Sequence, residues 1–424
     1  MPEFIIEFGV FVNFTIEYIY LFNMSEIVNN SQERIEALVD FSRRLIKGEN
    51  GRLLIEKHQQ FINTVTPVET MQTIDKLLSE GLSNETVKTN VGKILNVFYK
   101  SLSSYKWNRP GEGHFLYYLM LENREVQKIM AELKSVIKVY FKGENQNFPA
   151  LLFKLRLLVE QLKAYELHYI KKENILFPYI EKAFPQYRCL QIMWSFHDDF
   201  RRSMKVLETI LLAEIPDKDL LNREMGKLFF VVLPIIFREE QIIFPVAIRA
   251  IPEKFWTEML EQSHETGWCF IDQPDNIINP GKISHNLDDK INLSTGYLNP
   301  AQLIMLLNNL PVDITFIDEN DEVQYYSGGK HRIFPRSNAI IGRKVQNCHP
   351  PESVHIVNEI INAFRNRLKD NADFWIQIRD RFIYIRYFAI RNEQGEYKGT
   401  MEVSQDATEV RSLQGECRLL EWNN

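Results

Sequence analysis

The segment Lys172-Glu-Asn-Ile-Leu-Phe-Pro178 returns 67 residues later as Glu239-Glu-Gln-Ile-Ile-Phe-Pro245, aligned without a gap. The likeness runs on loosely, from Ala183-Phe-Pro185 to Ala250-Ile-Pro252. Each copy closes a long helical pattern, so the pair marks two equivalent helices of a duplicated unit. A duplicated helix pair builds a bundle with an approximate twofold axis and aims equivalent side chains at its centre. Residues 108–265 hold the four patterns this needs. They are FLYYLMLENREVQKIMAELKSVIKVYF, PALLFKLRLLVEQLKAYELHYIKKENILFPYIEKAF, YRCLQIMWSFHDDFRRSMKVLETILLA and KDLLNREMGKLFFVVLPIIFREEQIIFPVAIRAI. The proline after each Phe removes one helix hydrogen bond and bends or ends the helix there.

Every helix of the set offers an imidazole or a carboxylate. His114 opens the first, and His168 and Glu173 lie on the second. His197, followed by Asp198 and Asp199, lies on the third, and Glu239 and Glu240 on the fourth. Imidazole with carboxylate suits iron, manganese or zinc, and no soft thiolate takes part. His168 and Glu173 are five apart, about 140° around an ideal helix. A metal pair tolerates that angle better than a single ion. Ile235 is the fourth-helix counterpart of His168 and cannot bind metal, so the duplicated site is incomplete. Tyr117, Glu239 and Asp198 read as supporting groups or weak ligands, and Glu122 and Glu125 as surface charges.

Through HYIKKENILFP and REEQIIFP, residues 108–265 resemble a hemerythrin-like (HHE cation-binding) domain. The resemblance implies a four-helix bundle with a non-heme iron centre, generally of two ions. Carried over residue by residue, it implies ligands at His114, His168, Glu173, His197 and Glu240. Relatives with this domain order place a second histidine three residues after the first, where this chain has Tyr117. With Ile235, this predicts an asymmetric site for one or two ions of iron, with manganese or zinc as substitutes.

Outward from the bundle the pattern changes. Residues 1–23 are rich in Phe and Ile and carry only Glu3, Glu7 and Glu17 as charges. They lack a basic region and a cleavage site, so they do not read as a signal peptide. The expectation is an extension upstream of a natural start at Met24; a peripheral membrane anchor is the disfavoured alternative. Residues 24–106 predict a small all-α domain, with Gly48 and Gly51 as breaks and Thr66-Pro67 as a helix start. Residues 266–298 predict a linker. Residues 299–424 predict an α+β domain ending in a short helix. In it, DITFIDENDEVQYYS is strand, turn and strand, and SVHIVNEIINAFRNRL is a helix. Three strands follow, joined at Arg379-Asp380 and at Glu393–Glu396.

The chain after Met24 resembles a group of prokaryotic proteins that join a helical domain of unknown function, an HHE domain and a PAS domain. LPVDITFIDENDEVQYYS, IIGRKVQNCHPPESVHIVNEII and the strands ending SQDAT carry the PAS likeness. The fold class expected is therefore multi-domain: an all-α N-terminal domain and a hemerythrin-like four-helix bundle, followed by an α+β PAS domain. PAS domains are sensory modules that bind small ligands or partner proteins, which implies a small-molecule or gas ligand, a signalling partner or a PAS-mediated homodimer. His349 and His355 are candidate heme ligands, the first within Cys348-His349-Pro350, though so short a match weighs little. Phe316, Tyr326, Phe374, Trp375, Tyr384 and Tyr387 read as sheet core.

The 424 residues suffice for several domains, and the net charge of −6 argues against a nucleic-acid partner. Four distant cysteines (Cys189, Cys269, Cys348 and Cys417) make no CxxC pair, which fits a reduced cytoplasmic protein. No nucleophile constellation or phosphate-cradling loop supports a hydrolase or kinase. The reading is a cytoplasmic, non-enzymatic iron sensor of oxygen, nitric oxide or redox state. The alternatives are an iron-dependent oxidant or nitric oxide scavenger, an iron-handling protein for cluster repair, and a metal-free interaction scaffold.

Overall fold

A computed structural model describes residues 32–142, 148–184, 188–274, 290–293, 295–329, 332–378 and 380–415. The hydrophobic extension 1–23 with its boundary at Met24, residues 275–289 and 294 of the 266–298 linker, Arg379 and Cys417 lie outside the described residues. The chain divides into two compact units: Met1–Pro110 with Phe184–Pro252, and Gly111–Ala183 with Glu253–Asn424.

The first unit is helical throughout its described residues. It contains α1 (32–46), α2 (Gly51–Ile62), α3 (Pro67–Ser79) and α4 (Asn84–Ser104). Thr66 and Glu69 form the reciprocal capping box that starts α3, and Pro67 sits where a missing N–H costs nothing. Gly51 does not break a helix: it opens α2, because the Asn50 side chain accepts from Arg52 N and Leu53 N. Leu38, Phe41, Leu77, Ile94 and Phe98 are among the buried core residues. Later in the chain come α9 (Leu190–Leu212), α10 (Lys218–Arg238), a π turn at Glu239–Ile243 and α11 (Phe244–Ala250). Helix α9 packs on α10 and α4. Lys88 on α4 ties to α9 through Asp199, at 2.9 Å, and the Ser195 carbonyl, at 3.1 Å.

The second unit begins with α5 (Phe115–Lys142) and α6 (Phe148–Leu162). After one 3-10 turn follow α7 (Glu166–Lys171), a π turn at Lys172–Leu176, and α8 (Phe177–Ala183); α12 (Lys254–Thr266) comes later. Strands β1 (Ile291–Asn292) and β2 (Tyr297–Leu298) precede α13 (Pro300–Asn308). The main sheet runs β4 (Val323–Tyr326), β3 (Asp313–Asp318), β7 (Tyr397–Asp406), β6 (Arg381–Arg391), β5 (Asn371–Ile378), with every pairing antiparallel. Helix α14 (Val354–Arg365) packs on β7, and α15 (Thr408–Ser412) follows the sheet. Ile317, Val323, Ile340, Val345 and Ile361 form the core. At Gly399 the strands approach so closely that a Cβ would lie 2.2 Å from the Ile317 carbonyl oxygen, at a φ of +145°.

The expected fold class holds: helical N-terminal and hemerythrin regions, then an antiparallel sheet domain. Two expected core residues are not core. Phe374 and Trp375 lie on the edge strand β5 and are exposed, Trp375 at 65%. An edge strand has a neighbour on one side only, so its side chains lose half their cover.

Candidate metal centre

The repeat encodes a backbone device. Pro178 has no N–H to donate to the Asn174 carbonyl, and Phe177 N bonds to Lys172 O, five residues back. The second copy does the same, with Phe244 N bonding to Glu239 O before Pro245. Each Phe-Pro is thus preceded by a π turn, a form that recurs at functional sites. The turn frees carbonyls. In the first copy Asn174 O accepts from Ser337 Oγ at 2.6 Å, and Glu173 O from Arg343 Nη1 at 3.4 Å. Arg343 also grips Glu181 on α8 through two bonds, of 2.6 and 2.7 Å. The sheet domain therefore holds the turn that carries Glu173.

His168 is fully buried. Its Nδ1 lies 2.7 Å from Glu122 Oε2. The other carboxylate oxygen of Glu122 accepts from Lys171 Nζ at 2.9 Å and Cys269 N at 2.8 Å. Lys171 donates also to the Gly267 carbonyl, at 2.7 Å, and sits over the Trp268 ring. Burial works to raise the Glu122 pKa, but the His168 bond and the Lys171 charge outweigh it and hold the carboxyl below its usual range. Burial, then the Lys172 charge, pull the His168 pKa down to about 3. The imidazole is neutral at physiological pH, and an ionised Glu122 only accepts, so Nδ1 carries the proton. Nε2 is then the basic nitrogen, which is how a carboxylate prepares a histidine to bind metal. This is the arrangement in which the donor chemistry fits a borderline ion such as iron.

His114 is arranged differently. Its Nδ1 accepts from Leu116 N at 3.1 Å and caps the start of α5, which puts the proton on Nε2. That Nε2 is buried with no hydrogen-bond partner, and the ring lies against Trp256. Burial pulls the His114 pKa down to about 4. Metal ligation through Nε2 requires His114 to give up the cap. Tyr117 packs edge-on against Tyr118.

Glu173 is buried on the first π turn, in the same unit as His114 and His168. His197 and Glu239 are buried, and Glu240 half-buried, in the other unit. Asp198 pairs with Arg201, and Glu240 lies 4.0 Å from Arg109. Among the described residues no three His, Cys, Asp or Glu side chains gather closely enough to hold a metal ion. In the sheet domain His355 is exposed. His349 is half-buried before α14, and burial, against the Glu402 charge, lowers its pKa to about 4.

Sequence reasoning missed Glu122, Lys171 and Lys172, all fully buried. Glu122 is not a surface charge. The signal was present: Phe115, Leu119, Val126, Met130 and Leu133 follow helical spacing, and Glu122 falls within that apolar stripe. A carboxylate inside such a stripe needs a buried partner.

Comparison with known proteins agrees with this architecture. Residues 114–247 match the family model for the hemerythrin HHE cation binding domain, and residues 303–408 match a PAS domain model. The chain thus carries a hemerythrin HHE domain followed by a PAS domain. A comparison with curated proteins gives no match. Among solved structures, a C-terminal domain from Streptococcus mutans is 30% identical over 30% of this chain and 100% of that one, with a TM-score of 0.29. The PAS domain of a protein from Colwellia psychrerythraea is 21% identical over 26% of this chain and 97% of that one, with a TM-score of 0.22. A sensory box sensor histidine kinase from Vibrio cholerae is 14% identical, over 24% and 88%, with a TM-score of 0.20. The two domains together support a metal-binding protein of sensory or regulatory kind. No described helix is long and apolar enough to cross a membrane.

Proposed function

We propose that this chain is a cytoplasmic sensor in which non-heme iron on the hemerythrin domain reads oxygen, nitric oxide or redox state, and the PAS domain relays the reading. The observation that carries this is the His168–Glu122 pair, a neutral imidazole whose Nδ1–H is held by a buried carboxylate. Within the second unit this reading takes His168 and Glu173 as ligands, with His114 joining on release of its cap; His197 and Glu240 stay the ligands that the sequence resemblance implies. Bound iron supplies a redox-active centre for small oxidants. Glu122 fixes the His168 ring, and Lys171 fixes Glu122. Ser337 and Arg343 grip the turn bearing Glu173, so a shift of that ligand is felt in the PAS domain. Output then passes to a partner protein or a second copy. Ile304, Met305 and Leu306 on α13, and Trp375 on β5, are exposed apolar side chains suited to such contact.

The test is anaerobic purification of the full chain, with metal analysis and optical spectra before and after nitric oxide. The reading expects stoichiometric iron and a spectrum that changes with nitric oxide, accompanied by a change in Trp fluorescence. Folded protein that takes up no iron on anaerobic reconstitution would favour the metal-free scaffold. Sustained turnover of peroxide or nitric oxide with a reductant would favour the scavenger.

A further inference from the structure

The helix of the second repeat copy borders a cavity lying wholly within the first compact unit. It is a half-open hollow of about 440 Å³, a figure that takes in open solvent, and its walls include Met71, Ile74, Leu95, Met193, Phe196 and Ile242. Arg238 is the one charged residue in this lining. Its side chain is almost fully buried, with 8% of the residue exposed. The guanidinium lies 4.0 Å from the Phe196 ring centroid, yet Nε and Nη1 have no hydrogen-bond partner. Among the described residues no carboxylate pairs with it. A buried guanidinium stays charged at neutral pH, and leaving it without an anion is costly.

The repeat itself shows what this position does when it is partnered. Arg238 aligns with Lys171 at the same offset of 67 residues. Lys171 also lies over an aromatic ring, that of Trp268, and it meets a carboxylate, that of Glu122. In the second copy the cation and the ring remain and the carboxylate is missing. We infer that Arg238 and the apolar cavity beside it form a binding site for a small monocarboxylate with an aliphatic tail. The planar guanidinium matches a carboxylate in shape and charge. One positive charge balances one negative charge, which disfavours a phosphate dianion. The remaining walls are apolar and offer an alkyl tail the burial it needs. The site requires no metal, although Ile242 and Ile243 of the second π turn belong to its wall.

Isothermal titration of the purified full chain with octanoate, 1-octanol and inorganic phosphate tests this. Octanoate should bind saturably, and 1-octanol weaker by about tenfold or more, since it lacks the charge. Arg238→Met should lose octanoate binding while melting at or above the wild-type temperature. Leu95→Trp, which fills the cavity and leaves Arg238 in place, should lose it too. Octanoate should raise the melting temperature of the wild type and not that of either variant. Failure of octanoate to bind, equal binding of 1-octanol, binding of phosphate in its place, or unchanged binding in Arg238→Met would each overturn the proposal.

Discussion

The two copies of the repeat share a backbone and differ in what surrounds it. Both make a π turn ahead of Phe-Pro, and both carry a cation one residue before that turn, Lys171 and Arg238. The first copy is complete. His168 stands five residues before Glu173, Glu122 holds His168 and Lys171, and the PAS domain covers the freed carbonyls. The second has Ile235 in the histidine position and leaves its arginine without an anion. The backbone device is therefore separable from the chemistry it presents. One copy is furnished from within the chain, and the other leaves room for a ligand from outside.

The largest effect should come from the carboxylate that organises the first copy. Glu122→Ala strands a buried ammonium, so a loss of about 3–5 kcal/mol is expected in urea unfolding. Next comes the paired comparison of cations. Lys171→Met should cost about 3 kcal/mol, because it strips Glu122 of its charge partner. Arg238→Met, judged by the same unfolding curves, should cost nothing or stabilise. Equal losses at the two positions would break the comparison. Arg343→Met removes the paired bonds to Glu181 and the contact with Glu173 O, for about 2 kcal/mol by thermal melting. Ser337→Ala leaves the Asn174 carbonyl without its donor, and about 1 kcal/mol is expected from the same measurement.

Much of this fold is legible in the sequence because periodicity survives packing. The repeat, the long helical patterns and the PAS strands, with the turn at 393–396, appear where hydrophobic spacing places them. The π turns were half legible. Pro178 and Pro245 announce a missing donor, but which carbonyl Phe177 and Phe244 choose instead is a matter of backbone geometry. Glu122 sat in plain view within an apolar stripe, yet its meaning came from Lys171 and His168, 49 and 46 residues away. Trp375 looked like core because alternation cannot tell an edge strand from a central one; strand order decides that. Arg238 had no signal beyond its alignment with Lys171. Absence of a partner is a property of the folded surroundings, not of a motif.

The central claim is that the first copy presents a histidine prepared for metal by Glu122. Its most direct test is the iron affinity of anaerobically reconstituted full chain, for the wild type, His168→Ala and Glu122→Gln. The account predicts stoichiometric iron in the wild type, loss in His168→Ala, and an affinity weakened about 10–100-fold in Glu122→Gln with the fold retained. Wild-type protein without iron, or iron bound equally by all three, would contradict it.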